Sequence, residues 1–201
     1  MKILIFDYDG VIADSLDFHF RVFRKLAEKY GLGAIRSRKS FVKLLDDNFY
    51  ESVVREGMPR RRLPEFIEET ETCLMKRKVR MFPAMKMILK KLSGKSTIFV
   101  VSSSITRVIK RDLKLNGIKV EDVIGGDRER SKTAKIMGIK KRFPSCRIFY
   151  IGDTTGDMKE GKAAGVTTVA VTWGYHRRKA LEKEKPDFIA RSVKELERIL
   201  T

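Results

Sequence analysis

The residues best suited to chemistry stand near the start of the chain. The apolar run Ile3–Phe6 leads into Asp7, Tyr8, Asp9 and Gly10. Side chains of a strand alternate faces, so the two carboxylates would share one side. Acids at the end of an apolar run are costly there unless they are paired, metal-bound or hydrated. Two readings follow: a divalent-cation site with acid/base work beside it, or a strand closing in a solvated Asp-Gly turn.

A second acidic stretch, Gly152-Asp153-Thr154-Thr155-Gly156-Asp157, follows the strand-like run Arg147–Ile151. Asp153 and Asp157 stand four residues apart across a strand-to-helix turn, so both can face one cavity. With Asp7 they offer hard oxygen ligands of the kind magnesium takes. Asp153 as a simple N-cap of the following helix is the plainer alternative. Ser102-Ser103-Ser104 follow Thr97–Val101 and can cradle a phosphate at a helix N-terminus, or only cap that helix. Lys132, after Gly125-Gly126-Asp127, can neutralise phosphate charge. Lys135 competes for the same role, and either could be solvated charge among 44 Lys and Arg.

These residues need elements to hold them. Phe18, Val22, Leu26 and Ala27 recur at helical spacing after Asp14-Ser15, which can cap that helix, and Gly31 or Gly33 can close it. Residues 39–56 and 64–75 read as two further amphipathic helices, and no strand is expected between 15 and 82. From Pro83 the texture alternates. Helices are expected over 84–92, 106–115, 131–141, 157–164 and 193–200, and strands over 97–101, 120–124, 147–151 and 167–171. Such alternation predicts a parallel sheet covered by helices on both faces, its strands apolar throughout because both sides are buried. Ligands of open parallel sheets bind beyond the carboxyl ends of the strands. Asp7 and Asp9, the serine run, and the Gly-Asp loop all fall at such ends, and Lys132 heads a helix beside them.

The chain has 201 residues, 42% of them hydrophobic and 35% charged, so it is expected to fold around a substantial core. Cys73 and Cys146 lack any metal-ligand spacing and read as apolar filler, which fits a reducing cytoplasm. No run is long and apolar enough to span a membrane, and the N-terminus reads directly into a strand. The net charge of +18 admits a nucleic-acid partner or a thermophile surface. Glutamine is absent, asparagine occurs only at Asn48 and Asn116, and the charge is spread along the chain. Those features favour the thermophile reading. Arg60–Arg62, Lys76–Lys78 and His176-Arg177-Arg178 read as solvated surface, and Trp173 and Tyr175 as packing or cavity lining.

Taken together, Asp7-Tyr8-Asp9-Gly10-Val11, Val100-Val101-Ser102-Ser103, Lys132 and Gly152-Asp153-Thr154-Thr155-Gly156-Asp157 resemble the haloacid dehalogenase superfamily, in its phosphoglycolate-phosphatase-like branch. Ala163-Ala164-Gly165-Val166, Val171-Thr172-Trp173-Gly174-Tyr175 and Pro186-Asp187-Phe188-Ile189 fit the same resemblance. It implies an α/β fold: a Rossmann-like core at 1–14 and 83–201, with an all-helical cap inserted at 15–82. It implies a magnesium-dependent phosphatase of small phosphorylated metabolites, working as monomer or homodimer. Asp7 would be the nucleophile, and Asp9 the proton carrier. Ser102, Ser103 and Lys132 would bind the phosphoryl group. Magnesium would sit on Asp7, the backbone carbonyl of Asp9 and Asp153, with Asp157 acting directly or through water. A hydrolytic dehalogenase is disfavoured because Asp9 is the additional acid that phosphoryl chemistry uses. The alternatives are a sugar phosphomutase, for which His19 is placed as in such enzymes, and a non-catalytic polyanion binder. Thr133 stands where the family usually has proline after its lysine, and Pro83-Ala84 where it tends to have Pro-Gly.

Overall fold

The structure is a computed structural model and describes residues 2–33, 35–76 and 80–201. Arg77 and Lys78 of the basic run at 76–78 therefore lie outside the described residues. In chain order the strands are β1 (Lys2–Phe6), β2 (Ala13–Asp14), β3 (Arg80–Met81), β4 (Thr97–Val101), β5 (Asp122–Ile124), β6 (Arg147–Gly152), β7 (Thr167–Val171) and β8 (Phe188–Ala190). The helices are α1 (Leu16–Tyr30), α2 (Arg38–Lys43), α3 (Phe49–Arg55), α4 (Leu63–Met75), α5 (Pro83–Leu92), α6 (Thr106–Leu115), α7 (Lys132–Arg142), α8 (Thr155–Ala163), α9 (Arg178–Lys183) and α10 (Val193–Leu200). Six strands pair in parallel in the order β5-β4-β1-β6-β7-β8.

β1 shows why the sheet is covered twice. Leu4 and Phe6 enter one apolar cluster with Ile88 and Leu89 of α5, Ile109 of α6 and Leu196 of α10. Ile3 and Ile5 enter another with Ile136 and Ile139 of α7. Each face of a strand is thus taken up by helices, and the strand reads as continuously apolar. The chain order reverses direction on either side of β1, so β1 and β6 flank the switch point where such sheets bind ligands.

The helical stretch between β2 and β3 has its own apolar cluster, centred on Phe23, Phe41, Phe49 and Phe66, which also contacts Ile105 and Val108. Gly31, at φ 69°, ends α1 in the left-handed conformation that glycine adopts without strain. Three details depart from the sequence expectations. The single helix expected over 39–56 is two, broken at 44–48. Asn48 caps α3 by accepting from the amides of Tyr50 and Glu51, while the loop carbonyls turn to the core. Between 15 and 82 there is a strand after all: β3 pairs antiparallel with β2, tying the two crossings into the helical block together. β8 and α9 also went unforeseen. Three residues of strand and six of helix leave little periodicity to read.

Candidate active site

Asp7 is the first residue past β1, its amide donating to Ile151 O of β6 at 2.8 Å. The chain then closes a tight turn in which Tyr8 O accepts from the amides of Ile12 and Ala13. Gly10 has φ 77°, and a Cβ there would come within 2.0 Å of Asp153 Oδ2. A side chain at this position would push Asp153 out of the site. Gly174, on the loop after β7, allows an equally close approach, at 2.1 Å.

The two acids that follow β1 are held in different ways. Asp7 Oδ1 accepts from Tyr8 N at 2.7 Å, and Oδ2 accepts from Lys132 Nζ at 2.9 Å. Asp9 Oδ2 accepts from Ser104 Oγ at 2.5 Å. Asp9 Oδ1 has no hydrogen-bond partner among the described residues and lies 3.4 Å from His19 Nε2 of α1. Both acids line one cavity with Ser102, Ser103, Lys132 and Asp157.

Lys132 and Lys135 take separate places. Lys132 Nζ bridges Asp7 and Asp157, 2.5 Å from Asp157 Oδ1. Lys135 Nζ instead donates to the backbone carbonyl of Ser102 at 2.7 Å. Burial opposes the charge on Lys132, but Asp157 and Asp7 hold its pKa well above the usual lysine value. Lys135 has no such pair of anions, and burial together with the Lys132 charge pushes it down to about 7.

Asp157 is saturated with donors. Oδ1 accepts from Lys132 and from Tyr150 Oη at 2.7 Å, and Oδ2 from the amides of Asp153 and Thr154 and from Thr154 Oγ1. Burial works against its ionisation, yet these donors, Lys132 foremost, hold it below the ordinary aspartate value. Asp153 differs. Its Oδ2 accepts from Tyr175 N at 2.6 Å, while the buried Oδ1 has no hydrogen-bond partner among the described residues. Burial, then the charges of Asp157 and Asp7, push Asp153 well above the ordinary range. Burial likewise pushes Asp7 up to about 7 despite Lys132.

The donor set fits a hard divalent cation. Asp7, Asp153 and Asp157 each bring a carboxylate oxygen within 4.8 Å of the others, and one buried oxygen of Asp153 is unsatisfied. Three buried acids against one lysine is an arrangement that a cation relieves. The Asp9 carboxylate stands outside this cluster, turned to Ser104 and the cavity.

The profile of haloacid dehalogenase-like hydrolases matches residues 4–171 of this chain. The chain belongs to the haloacid dehalogenase-like hydrolase family. Phosphoglycolate phosphatase from Synechococcus elongatus is 26% identical to this hydrolase over 210 residues, covering 100% of this chain and 98% of that protein. A haloacid dehalogenase-like family hydrolase from Streptococcus pneumoniae superposes with a TM-score of 0.79 at 19% identity, over 100% and 99% of the two chains. A provisionally named β-phosphoglucomutase from Bacteroides vulgatus superposes at 0.76 with 20% identity, over 98% and 86%. At these identities the solved structures establish the fold.

Several site contacts of this hydrolase carry no sequence signal that separates them from their neighbours. Ser104, rather than Ser102 or Ser103, donates to Asp9. Tyr175 supplies a backbone amide, a group every residue but proline has. His176, expected at the surface, is buried: Nδ1 accepts from Thr155 N at 3.0 Å, and Nε2 faces Val42 O at 3.1 Å. Its neighbours in sequence are basic, but α2 and α8 close over it. Ser15, expected as an N-cap, makes no side-chain cap bond; its Oγ lies 2.8 Å from Tyr175 Oη.

The helical block contacts this edge of the core directly. Leu45 O accepts from Gly156 N at 3.1 Å, Lys159 Nζ donates to Asp46 O at 2.9 Å, and Tyr50 Oη donates to Ser103 O at 2.6 Å. Gly156 permits the first, since a Cβ there would lie 2.7 Å from Asp47 O. Among the described residues, no helix is long and apolar enough to cross a membrane.

Proposed function

We propose that this hydrolase is a magnesium-dependent phosphatase acting on a small phosphomonoester through a phosphoaspartate at Asp7. The observation that carries this reading is the unequal treatment of the two acids. Asp7 is fixed at both oxygens beside a lysine, whereas Asp9 keeps one oxygen without a hydrogen bond in the cavity. A nucleophile needs positioning, and a proton carrier needs a free oxygen. An Asp7 oxygen attacks phosphorus while the bond to the leaving oxygen breaks, and Asp9 gives that oxygen its proton. Asp9 then takes a proton from the water that attacks phosphorus, the bond to Asp7 breaks, and phosphate leaves. Lys132, with the hydroxyls of Ser102 and Ser103 and the amides beyond Ser102, faces the transferring group. Asp7 and Asp153 would hold magnesium with the Asp9 carbonyl, and Asp157 would fix Lys132 and the turn around Asp153. When bound, the cation offsets repulsion between the anionic nucleophile and the anionic phosphate. The helices of 15–82 serve as a cap that closes over the site and excludes water.

Magnesium-dependent release of phosphate from a panel of phosphomonoesters tests the reading, and Asp9→Asn tests the mechanism. That variant is expected to lose about 10³-fold in kcat on alkyl phosphates, whose alkoxides cannot leave unprotonated. With p-nitrophenyl phosphate it should give a stoichiometric burst of nitrophenolate and then stall, because the second step still needs a base. Equal losses without a burst would count against Asp9 as the proton carrier.

Metal binding should show in stability as well. The folded state raises Asp7 from 3.8 to about 7, so it holds a proton that the unfolded chain releases. Stability of the metal-free protein therefore falls as pH rises through that window, and the raised Asp153 adds to the fall. Magnesium competes with those protons. It is expected to raise Tm more at pH 8 than at pH 5; at a hundredfold excess over Kd the gain is about 2.7 kcal/mol, or roughly 5–10 °C. Calorimetry showing equal shifts at both pH values would remove these acids as the metal site.

His19 beside Asp9 favours a mutase as the second reading. Isomerisation of hexose phosphates without release of phosphate would establish it.

A further inference from the structure

We infer that the alcohol released from the substrate is uncharged and presents an apolar face, an aryl or short alkyl group, rather than bearing a carboxylate as phosphoglycolate does. The inference rests on the phosphatase reading and concerns the part of the cavity that the phosphoryl group does not occupy.

That part is built from the helical block. Phe23 of α1, Phe41 of α2, Leu45 of the following loop and Phe49 of α3 line it, and the whole cavity has a volume of only about 60 Å³. Among the described residues, the further charged side chains at this end, Asp47 of the loop before α3 and Glu160 of α8, are acids. Both line the cavity. Asp47 accepts from Lys159 Nζ at 2.7 Å and from Arg55 at 3.0 Å, and these two partners hold it below the ordinary carboxylate range. Glu160 Oε1 accepts from the Lys132 amide and from Asn48 Nδ2.

A carboxylate entering this space needs a cation or several donors, because an ionised group taken out of water without them is strongly disfavoured. Lys132 is the lysine lining the cavity, and its ammonium already bridges Asp7 and Asp157. Among the described residues, no arginine lines the cavity. His19 faces Asp9, and Tyr175 Oη lies 2.8 Å from Ser15 Oγ. The serine hydroxyls stand at the phosphoryl end, on the loop after β4.

A second cavity, about 20 Å³, points the same way. It shares Phe23, Phe49, Ser103 and Ser104 with the first and continues to Phe66, Ile67 and Thr70 of α4. Phe23 and Phe49 meet edge to face with ring centroids 5.1 Å apart, so this ring pair borders both spaces. The Thr70 hydroxyl donates to Phe66 O of its own helix and adds no free donor. The direction in which the cavity can extend is apolar.

Benzyl phosphate and 2-phosphoglycolate test this, since their leaving alcohols have similar basicity and differ mainly in what the cavity must accept. With magnesium, kcat/KM for benzyl phosphate is expected to exceed that for phosphoglycolate about tenfold or more. Leu45 is half-buried and lines the wall. Leu45→Arg is expected to narrow the ratio about tenfold by supplying the missing cation, while Leu45→Met leaves it. Binding is measured separately, by calorimetric titration of Asp7→Asn with both esters, where benzyl phosphate should bind more tightly by a similar factor. Phosphoglycolate turned over or bound as well as benzyl phosphate overturns the inference. If the wild-type protein hydrolyses neither ester, the phosphatase reading fails, and the titration alone decides: tighter benzyl phosphate sustains the apolar site, and equal, weaker or absent binding refutes it.

Discussion

Asp7→Asn is expected to abolish phosphate release, by about 10⁴-fold or more, while the protein remains folded. The side chains are nearly isosteric, so the cavity keeps its shape. The amide is a poor nucleophile, and it also cannot match its surroundings. Asp7 accepts at both oxygens, from Tyr8 N and from Lys132 Nζ. An asparagine has one acceptor and one donor group, so either rotamer sets an NH₂ against another donor. That mismatch costs about 1–3 kcal/mol. It is offset by removal of a buried charge that Asp157 and Asp9 already repel. The net change in Tm should therefore be small while turnover disappears. Turnover within tenfold of the wild type would remove Asp7 as the nucleophile and the covalent mechanism with it.

The grouping of the candidate site residues was legible because they sit where sequence patterns change. An apolar run stops, and polar residues of fixed type begin, at the carboxyl ends of β1, β4 and β6. Those runs are apolar throughout because Ile3 and Ile5 face one helical layer and Leu4 and Phe6 the other. What escaped depends on contacts across the chain. The break at 44–48 exists because Leu45 and Asp46 give their carbonyls to Gly156 and Lys159, which the local helical pattern does not record. His176 lies in a basic stretch, and only the closure of α2 and α8 buries it. Lys132 and Lys135 are three residues apart on one helix and share a face, so spacing alone could not separate them. The partners of each nitrogen could. The same holds for the wall of the cavity: Phe23, Phe41 and Phe49 read as helix core, which they are, and their second role as lining appears only once three helices meet.

Lys132→Met is expected to be the most damaging single change to the fold among the site residues. Methionine keeps most of the side-chain volume and removes the charge. It leaves Asp7, Asp153 and Asp157 buried together with their lysine gone. Breaking a buried ion pair by deleting one partner costs about 3–5 kcal/mol, because the remaining charge stays out of water uncompensated. The pH dependence identifies the cause. Lys132 is raised above its unfolded value of 10.5, so its contribution is present below that value and is lost only as pH rises through the folded one. Asp157 is lowered below 3.8, so its contribution is present above that value and is lost as pH falls through the folded one. The pair therefore stabilises the wild type throughout the neutral range. In the variant Asp7 and Asp157 bind protons on acidification and their repulsion disappears. The Tm difference from wild type should be largest near pH 7 to 8 and narrow steadily towards pH 4. Lys135→Met removes a bond from an ammonium to one carbonyl, in a group that burial already brings to about 7, and should cost less and show no such narrowing. A Lys132→Met protein with wild-type Tm at neutral pH would mean that Lys132 does not hold Asp157 as an anion in the folded chain. The ordering of Asp7 as the positioned nucleophile and Asp9 as a proton carrier would then need another basis.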